Sequence, residues 1–184
     1  GGSGGGKSVL LKHIAGLMTP DRGRVLIDGK DIHALGGRNL SAFRDRLGFL
    51  FQGGALFDSM TVLENVSFPL MEKRRLPRDQ VRQMALKELD HVGLSGAEDK
   101  YPSQISGGMV KRTALARALV MEPEIMFFDE PTTGLDPVIG RSILQLIRDC
   151  HMRLSFTGII VSHMIPGVLY IVDRVLMLKD GAIC

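Results

Sequence analysis

Tryptophan is absent from this chain of 184 residues, and aromatic residues together make up only 5% of it. Cysteine occurs twice, at Cys150 and Cys184, which is too few for a disulfide framework or a cysteine-based zinc site. No uninterrupted apolar stretch reaches the roughly 18 residues that a membrane-spanning helix needs. The longest candidate, residues 158–172, is interrupted by His163 and Pro166. The sequence therefore predicts a folded domain with no membrane span of its own.

The chain also has no large excess of charge of one sign, since 23 basic and 20 acidic residues leave a net charge of only +3. Electrostatics alone therefore do not imply a nucleic-acid partner, and we expect none. The basic run at residues 73–75 is typical of a solvated turn, with a binding patch as the alternative. The length and the apolar fraction of 45% fit one domain, or one domain with a small subdomain.

The first eight residues, GGSGGGKS, have the composition of a flexible linker but also the spacing of a phosphate-binding loop. Gly1, Gly6, Lys7 and Ser8 fit the pattern G-x-x-x-x-G-K-[ST], and apolar residues at helical spacing follow at once. Such a loop needs that helix, because its N-terminal N–H groups and its dipole face the anion. In a loop of this kind Lys7 lies on the β and γ phosphates and Ser8 binds Mg²⁺.

The rest of the chain alternates strands and helices. EIMFFDE and TGIIVSH are continuous apolar runs of the kind buried in a parallel sheet, and DRVLML, at residues 173–178, predicts a third such strand. Helices are predicted after Pro77, from Ser106, from Asp136 and from about Pro166, and Thr61 and Glu64 have capping-box spacing. A hairpin at residues 23–32 and a strand at residues 46–52 precede them. The pattern predicts an α/β fold with a parallel sheet.

Three polar residues follow two of the predicted strands. Asp129 and Glu130 stand where the strand IMFF ends, which is the edge at which open α/β sheets bind ligands. Asp129 suits a metal ion, and Glu130 suits the activation of an attacking water. His163 ends the next strand, so we expect it beside Glu130 at the same edge. The alternatives are a surface acidic pair and a structural histidine.

In this order, the motifs resemble those of the nucleotide-binding subunit of ABC transporters over essentially the whole chain. They are the phosphate loop at Gly1–Ser8, the Q-loop glutamine Gln52, the signature at Ile105–Met109, Asp129 and Glu130, the D-loop at Gly134–Asp136 and the switch histidine His163. This order favours the phosphate loop over the linker. The resemblance implies one ATPase domain over residues 1–184 with a P-loop NTPase sheet and helices on both faces. It also implies small antiparallel β and helical subdomains, the latter at about residues 70–105.

The resemblance implies ATP and Mg²⁺ as cofactors and a role for each motif. It assigns nucleotide binding to Gly1, Gly4, Gly6, Lys7, Ser8, Ser106, Gly107, Gly108 and Asp136. It assigns the metal ion to Ser8, Gln52 and Asp129, and catalysis to Glu130, His163 and Gln52. In this family two subunits pair head to tail, so the signature of each copy completes the ATP site of a second copy.

The segment from Gln52 to Leu70 lies in the region that receives a helix of the membrane permease in this family. Phe57 in that segment and Met109 in the signature resemble the Mla-type lipid transporters, which move phospholipid between the inner and outer membranes of Gram-negative bacteria. This resemblance implies a peripheral protein on the cytoplasmic face of the inner membrane. Four residues offer an apolar cluster for the permease, with ordinary core as the alternative: Leu56, Phe57, Met60 and Val62.

Two positions depart from the family pattern. Met109 replaces a Gln or Glu, and we expect its thioether to fill that space without contacting phosphate. Met164 replaces the Asp that commonly follows the switch histidine, which removes a secondary polar contact. Other readings are an ABC importer or exporter of another substrate, a non-transport ABC ATPase, and a nucleotide-binding module without hydrolysis. Glu130 argues against the last of these readings.

The family also has a strand that enters the phosphate loop and an upstream aromatic residue that stacks on adenine. Neither is found in this sequence. We therefore expect the chain to be a fragment of a longer protein and to bind ATP poorly on its own.

Overall fold

The computed structural model describes residues 5–74, 76–179 and 181–184. Within these residues the helices and strands are, in chain order, α1 (Lys7–Ile14), β1 (Leu26–Ile27), β2 (Lys30–Asp31), α2 (Gly37–Arg44), β3 (Leu47–Leu50), α3 (Val62–Lys73), α4 (Arg78–His91), a 3₁₀ turn (Pro102–Gln104), α5 (Gly107–Leu119), β4 (Ile125–Asp129), α6 (Pro137–Leu154), β5 (Thr157–Val161), α7 (Ile165–Val168), β6 (Leu178–Lys179) and β7 (Ala182–Ile183).

The central sheet is parallel, with β4 between β3 and β5. Successive side chains of a strand point to opposite faces. Phe127 accordingly packs against Leu11 of α1 on one face. Met126 and Phe128 belong to a larger core with α5 and α6 on the other. Helices therefore cover both faces of the sheet, which confirms the predicted fold class.

The same larger core continues among α3, α4 and α5. α3 begins with the predicted capping box, in which Thr61 Oγ1 accepts from the backbone N–H of Glu64 and Glu64 Oε2 accepts from the backbone N–H of Thr61. α4 has the predicted amphipathic pattern, and its buried Ala85 and Leu89 pack in the same cluster as Val66 of α3. These helices fall partly within residues 70–105, and the division of the chain into subdomains stays a prediction.

The C-terminal part differs from the sequence-based prediction. Residues 173–178 do not add a strand to the sheet; instead β6 pairs antiparallel with β7. β5 is exposed or half-buried along its length, although its apolar sequence predicts burial. In the described part of the chain β5 pairs only with β4, so its other edge has no strand to hydrogen-bond to. An apolar run forms a buried strand only where a neighbouring strand is available to pair with it. The run at residues 173–178 has no such partner in the described sheet, and its Val175 and Leu176 are exposed.

Two smaller antiparallel pairs, β1 with β2 and β6 with β7, complete the described elements. The first confirms the predicted hairpin at residues 23–32. Arg46 links this hairpin to the central sheet. Its Nη2 lies 2.6 Å from Asp28 Oδ2 in the hairpin turn and 2.7 Å from Oε2 of Glu124, the residue before β4. No helix within the described ranges is both long and apolar enough to cross a bilayer.

Candidate active site

The end of the predicted phosphate loop forms the start of α1. Gly6 is the N-cap residue and has a φ of 84°, a left-handed conformation that favours glycine. Lys7 and Ser8 then begin the helix, where N–H groups without helical partners can bind an anion. Gly1 and Gly4 lie outside the described residues. The described part of the loop therefore has the local geometry that phosphate binding requires.

Ser8 and Asp129 meet although they are 121 positions apart in the chain. Ser8 Oγ donates a hydrogen bond to Asp129 Oδ1 over 2.9 Å, and both groups are partly buried. A hydroxyl and a carboxylate are the oxygen ligands that Mg²⁺ prefers. No group of three or more His, Cys, Asp or Glu residues that could hold a metal is found within the described ranges.

Glu130 follows β4 directly and is held by its backbone as well as its side chain. Its φ of 50° lies in the left-handed region, which is strained for a residue other than glycine. Its backbone N–H donates to the carbonyl of Val161 at the end of β5, over 2.9 Å. Only 9% of the residue is exposed. The strained turn at the strand end therefore fixes where this carboxylate points.

One oxygen of the Glu130 carboxylate, Oε2, contacts three neighbouring groups. His163 Nδ1 lies 2.9 Å from Glu130 Oε2, and the backbone N–H of His163 and the hydroxyl of Thr133 donate to the same oxygen over 3.3 Å each. The His163 side chain is 53% exposed. With the ring proton on Nδ1, Nε2 is left as the nitrogen that can contact a ligand. The expected neighbourhood of Glu130 and His163 is thus present, and their roles stay predictions.

Gln52 reaches the same edge of the sheet through strand register. Leu50 pairs with Phe128 and Asp129 pairs with Val161, so the carboxyl ends of β3, β4 and β5 meet at one edge. Gln52 follows β3 by two residues and is exposed. We call the segment Gln52–Ala55 the Q-loop.

The signature and the D-loop lie against each other. Ser106 is the N-cap residue of α5, and its Oγ accepts from the N–H of Met109. Asp136 is the N-cap residue of α6 and accepts from the N–H groups of the next turn, including that of Ile139. A Cβ atom added to Gly108 would lie 2.8 Å from Ile139 Cγ2, so a side chain there would displace the Ile139 side chain. The exposed start of α5 therefore depends on glycine for packing within the chain.

Met109 and Met164, the two residues that depart from the family pattern, lie in different environments. Met109 is half-buried and packs against the core that α5 shares with α3 and α4, as expected for a thioether that fills space. Met164 is 45% exposed, and its backbone N–H donates to Ser162 Oγ.

The segment after the Q-loop lines a groove of about 300 Å³. Phe57 is 40% exposed, and its ring lies 4.8 Å from that of Phe68, centroid to centroid. We call this the phenylalanine groove, and its apolar and basic lining includes Phe49, Phe51, Phe57, Phe68, Met121 and Arg117. Leu56 and Met60 are half-buried, whereas Val62 is fully buried in the core. Val62 was expected to face a partner and cannot do so, because as the first residue of α3 it points into the core.

One buried amide shapes the loop beside this groove. Asn65 is fully buried, and its Nδ2 donates to the carbonyls of Phe57, Met60 and Thr61 over 3.0–3.1 Å. Its Oδ1 accepts from the N–H of Phe57 over 2.8 Å. One side chain therefore satisfies four backbone groups of the loop.

Comparison with known proteins identifies the class of protein. Residues 1–133 match the family model described as ABC transporter. A dimeric structure of a post-hydrolysis state of the ATP-binding cassette MJ0796, bound to ADP and Pi, has a TM-score of 0.87 and 35% identity, covering 99% of this chain and 80% of that one. The cbiO1 structure from Clostridium perfringens, part of the ABC transporter complex cbiONQ, has a TM-score of 0.90 and 35% identity, covering 100% and 73%. The chain belongs to the ABC transporter family and is an ATPase of that family.

Named relatives narrow the class further. The intermembrane phospholipid transport system ATP-binding protein MlaF of Haemophilus influenzae is 46% identical over 180 residues, which are 98% of this chain and 68% of the relative. MlaF of Escherichia coli K12 is 43% identical over 183 residues, with 100% and 68% covered. The probable ribonucleotide transport ATP-binding protein mkl of Mycobacterium leprae is 47% identical over 163 residues, with 89% and 47% covered. These similarities confirm the resemblance to Mla-type ATP-binding subunits.

Three groups near the site are not predicted from the sequence. Lys111 and Arg117 donate to Q-loop carbonyls, and Thr133 donates to Glu130. For Lys111 a signal existed, because helical spacing places it on the same face as the buried Ala114 and Leu115. A lysine on a buried face needs an oxygen partner, and the sequence does not say which one.

Proposed function

We propose that this chain binds ATP and Mg²⁺ at the carboxyl edge of its sheet and uses ATP hydrolysis to drive phospholipid transport between the inner and outer membranes of a Gram-negative bacterium. The observation that carries the hydrolytic part is a pair of contacts at that edge. Ser8 Oγ lies 2.9 Å from Asp129 Oδ1, and Glu130 Oε2 lies 2.9 Å from His163 Nδ1. These contacts support a metal-binding role for Ser8 and Asp129 and a general-base role for Glu130.

Each residue has a definite task in this mechanism. Lys7 and the first N–H groups of α1 would bind the phosphates, and Ser8 and Asp129 would hold Mg²⁺. The bound ATP and Mg²⁺ supply an activated γ-phosphoryl group and neutralise its developing charge. Glu130 accepts a proton from water as the water oxygen bonds to the γ-phosphorus and the bond to the ADP oxygen breaks.

Two further residues complete that site. His163 orients the Glu130 carboxylate through Nδ1 and leaves Nε2 for the γ-phosphate. Gln52 stands at the same sheet edge, where its side chain can bind the metal ion or the attacking water. Positioning of this kind accounts for most of the catalysis in phosphoryl transfer, because the protein does little covalent chemistry.

A second copy of the chain completes each site. Ser106, Gly107, Gly108 and Asp136 lie at exposed helix starts of one copy and would contact the nucleotide held by the other. Two helix N-termini then face the phosphates from opposite sides, which favours the anion. The dimeric MJ0796 cassettes support this assembly, since they are 35% identical to this chain and share its fold.

A membrane permease is the second partner, docked near Gln52–Leu70. The phenylalanine groove offers exposed rings that can receive an amphipathic helix. In this arrangement the chain is held peripherally on the cytoplasmic face of the inner membrane through the permease.

The transported substrate has two candidates among the relatives. Phospholipid is favoured by the MlaF proteins, of which this chain covers 68% of the length. Ribonucleotide is favoured by mkl, of which it covers 47%. The test is transport in proteoliposomes that contain the chain with its membrane subunits, driven by Mg²⁺-ATP, with fluorescent phospholipid or radiolabelled ribonucleotide as cargo. ATP-dependent movement of phospholipid alone supports the proposal, movement of ribonucleotide alone overturns it, and absence of phosphate release would refute the ATPase assignment itself.

A further inference from the structure

The Q-loop backbone is held by two cationic side chains of α5. Lys111 Nζ donates to the carbonyl of Gln52. Arg117 donates from Nη2 to the carbonyl of Gly54 and from Nη1 to that of Ala55, over 2.8 Å each. Three carbonyl oxygens of a four-residue loop are therefore bound by one helix.

The loop also packs directly on that helix. Gly54 is buried, and a Cβ atom added to it would lie 3.1 Å from Val110 Cγ1 and 3.5 Å from Ala114 Cβ. The backbone of the loop therefore lies on α5 with no room for a side chain between them. Close packing of this kind transmits strain and leaves the loop and α5 little room to move separately.

The same helix begins at the signature, and its far end reaches the phenylalanine groove. Ser106 is the N-cap residue of α5, five positions before Lys111. The guanidinium carbon of Arg117 lies 5.8 Å from the centroid of the Phe57 ring. One element thus touches the catalytic edge through Gln52, the composite site through Ser106 and the groove through Arg117.

Burying the cationic groups of Lys111 and Arg117 costs free energy of folding. Lys111 is only 5% exposed, and burial lowers the pKa of both Lys111 and Arg117. Their described partners are neutral carbonyl oxygens rather than carboxylates. Apolar residues of similar volume are often as stable as buried charges or more so, and breaking a buried charged contact at one end is what destabilises. A role beyond stability would explain why charge is placed here.

We propose that Lys111 and Arg117 are positioning residues that join the Q-loop to the signature helix, so that Gln52 and Ser106 move together when a permease helix occupies the phenylalanine groove. The inference rests on the proposed function, since it concerns how that groove controls that site. Arg117 is the link to the groove, because its guanidinium contacts both the Phe57 ring and two Q-loop carbonyls. Lys111 is the link to Gln52 itself.

The test compares Lys111→Met and Arg117→Gln with Arg112→Gln. Arg112 is a matched control, because it lies on the same helix and also donates to a backbone carbonyl, that of Val92, over 2.7 Å. Val92 lies at the end of α4, outside the Q-loop. For each variant, kcat, the KM for ATP, the thermal unfolding temperature and the stimulation of hydrolysis by the permease are measured in the assembled complex and without it.

We expect Lys111→Met and Arg117→Gln to lower kcat by about 10- to 100-fold, because small misplacements of catalytic groups have effects of this size. The KM for ATP should change little, since the phosphate loop is untouched, and permease stimulation should be lost. Arg117→Lys should restore part of kcat, because it keeps one donor but not the bidentate grip. Arg112→Gln should retain kcat and stimulation at a similar loss of unfolding temperature.

The inference is overturned if the Q-loop variants lose activity only in proportion to their folded fraction, as Arg112→Gln does. If either Lys111→Met or Arg117→Gln does not fold, Lys111→Arg and Arg117→Lys decide by the same criterion, a fall in kcat without a rise in KM. A wild-type complex that hydrolyses ATP while all variants keep stimulation refutes this inference alone. A wild-type complex without hydrolysis refutes the proposed function instead.

Discussion

His163 Nδ1 and Glu130 Oε2 lie 2.9 Å apart, although the two residues are separated by 33 positions in the chain. Their strands are neighbours, and the backbone N–H of Glu130 donates to Val161 at the end of the strand before His163. The carboxylate is therefore oriented by two adjacent strand ends at once. An oriented carboxylate of this kind is what a general base needs, because its efficiency depends on geometry before pKa.

Replacing Glu130 by Gln should keep ATP binding and slow hydrolysis by about 10²–10⁴-fold, because an amide cannot accept the proton from water. Phosphate release and the binding of a fluorescent ATP analogue measure the two effects separately. Glu72→Gln, at an exposed position on α3, is the control and should behave as wild type. Hydrolysis by Glu130→Gln at near the wild-type rate would remove Glu130 from the mechanism.

The composite site predicts complementation between two inactive variants. Ser106→Arg blocks the signature and Lys7→Ala removes a phosphate ligand, so neither homodimer should hydrolyse ATP. A mixed dimer has one site with both residues intact. Equal mixing should restore up to about a quarter of wild-type activity, because half of the dimers are mixed and each has one intact site of two. Mixed dimers that are shown to form but stay inactive would indicate a self-contained site.

Phe57→Asp should detach the ATPase from its permease while leaving its ATP binding intact. A carboxylate placed in the apolar contact would lose its hydration without gaining a partner. Because Phe57 is 40% exposed, we expect the free protein to fold, which circular dichroism can check. Co-purification with the permease is the main measurement, and Met71→Asp, exposed on α3 outside the groove, is the control. Unfolding of the Phe57 variant, or its retention on the permease, would contradict the docking surface.

Arg153→Met should destabilise the fold by removing the cation that pairs with the buried carboxylate of Glu88. Arg153 Nη2 of α6 lies 2.6 Å from Glu88 Oε1 of α4, and the Glu88 side chain is 8% exposed. Although burial lowers it, the hydrogen bond and charge of Glu88 raise the pKa of Arg153 overall. The loss in unfolding free energy should exceed the roughly 1 kcal/mol of a surface pair but stay below the roughly 3–5 kcal/mol of a fully buried one. The reason is that the Arg153 side chain is 30% exposed and Glu88 also contacts His91 Nδ1. Urea unfolding measures it, and the exposed Arg148→Met should change it little.

The two thiols should react at very different rates with iodoacetamide. Cys150 is buried within the core, and burial raises its pKa, so its thiolate is both scarce and inaccessible. Cys184 is exposed and should be alkylated quickly at neutral pH. Mass spectrometry should find a single modification under native conditions and two in urea. Equal rates in the native protein would contradict the buried position of Cys150.

The sequence located the candidate site because that site depends on order and spacing along strand ends. Glu130 and His163 come together because they follow strands that are parallel neighbours, and apolar runs indicate such strands. Ser8 lies on α1 rather than at a strand end, so its place beside Asp129 followed only from the order of the motifs. The run at residues 173–178 carries the same local signal, but it finds no strand edge to pair with in the described chain. Pairing is a long-range property, and a local pattern cannot report it.

The hydrogen-bonding partners of buried polar side chains could likewise not be predicted from the sequence. The helical spacing at Glu88, Lys111 and Asn65 indicates inward positions, but their partners lie on other elements. Those partners are Arg153, the Gln52 carbonyl and the loop at residues 57–61. Which oxygen or nitrogen compensates a buried polar group is decided by tertiary packing.

The four hydrogen bonds of Asn65 have a thermodynamic consequence for assembly with a membrane partner. The loop at residues 57–61 is held in place by them before any partner arrives. Association then requires little ordering of backbone, so more of the contact energy remains as affinity. It also means that complex formation should show a small conformational-entropy loss on this side and an association rate set by encounter rather than by rearrangement of the loop.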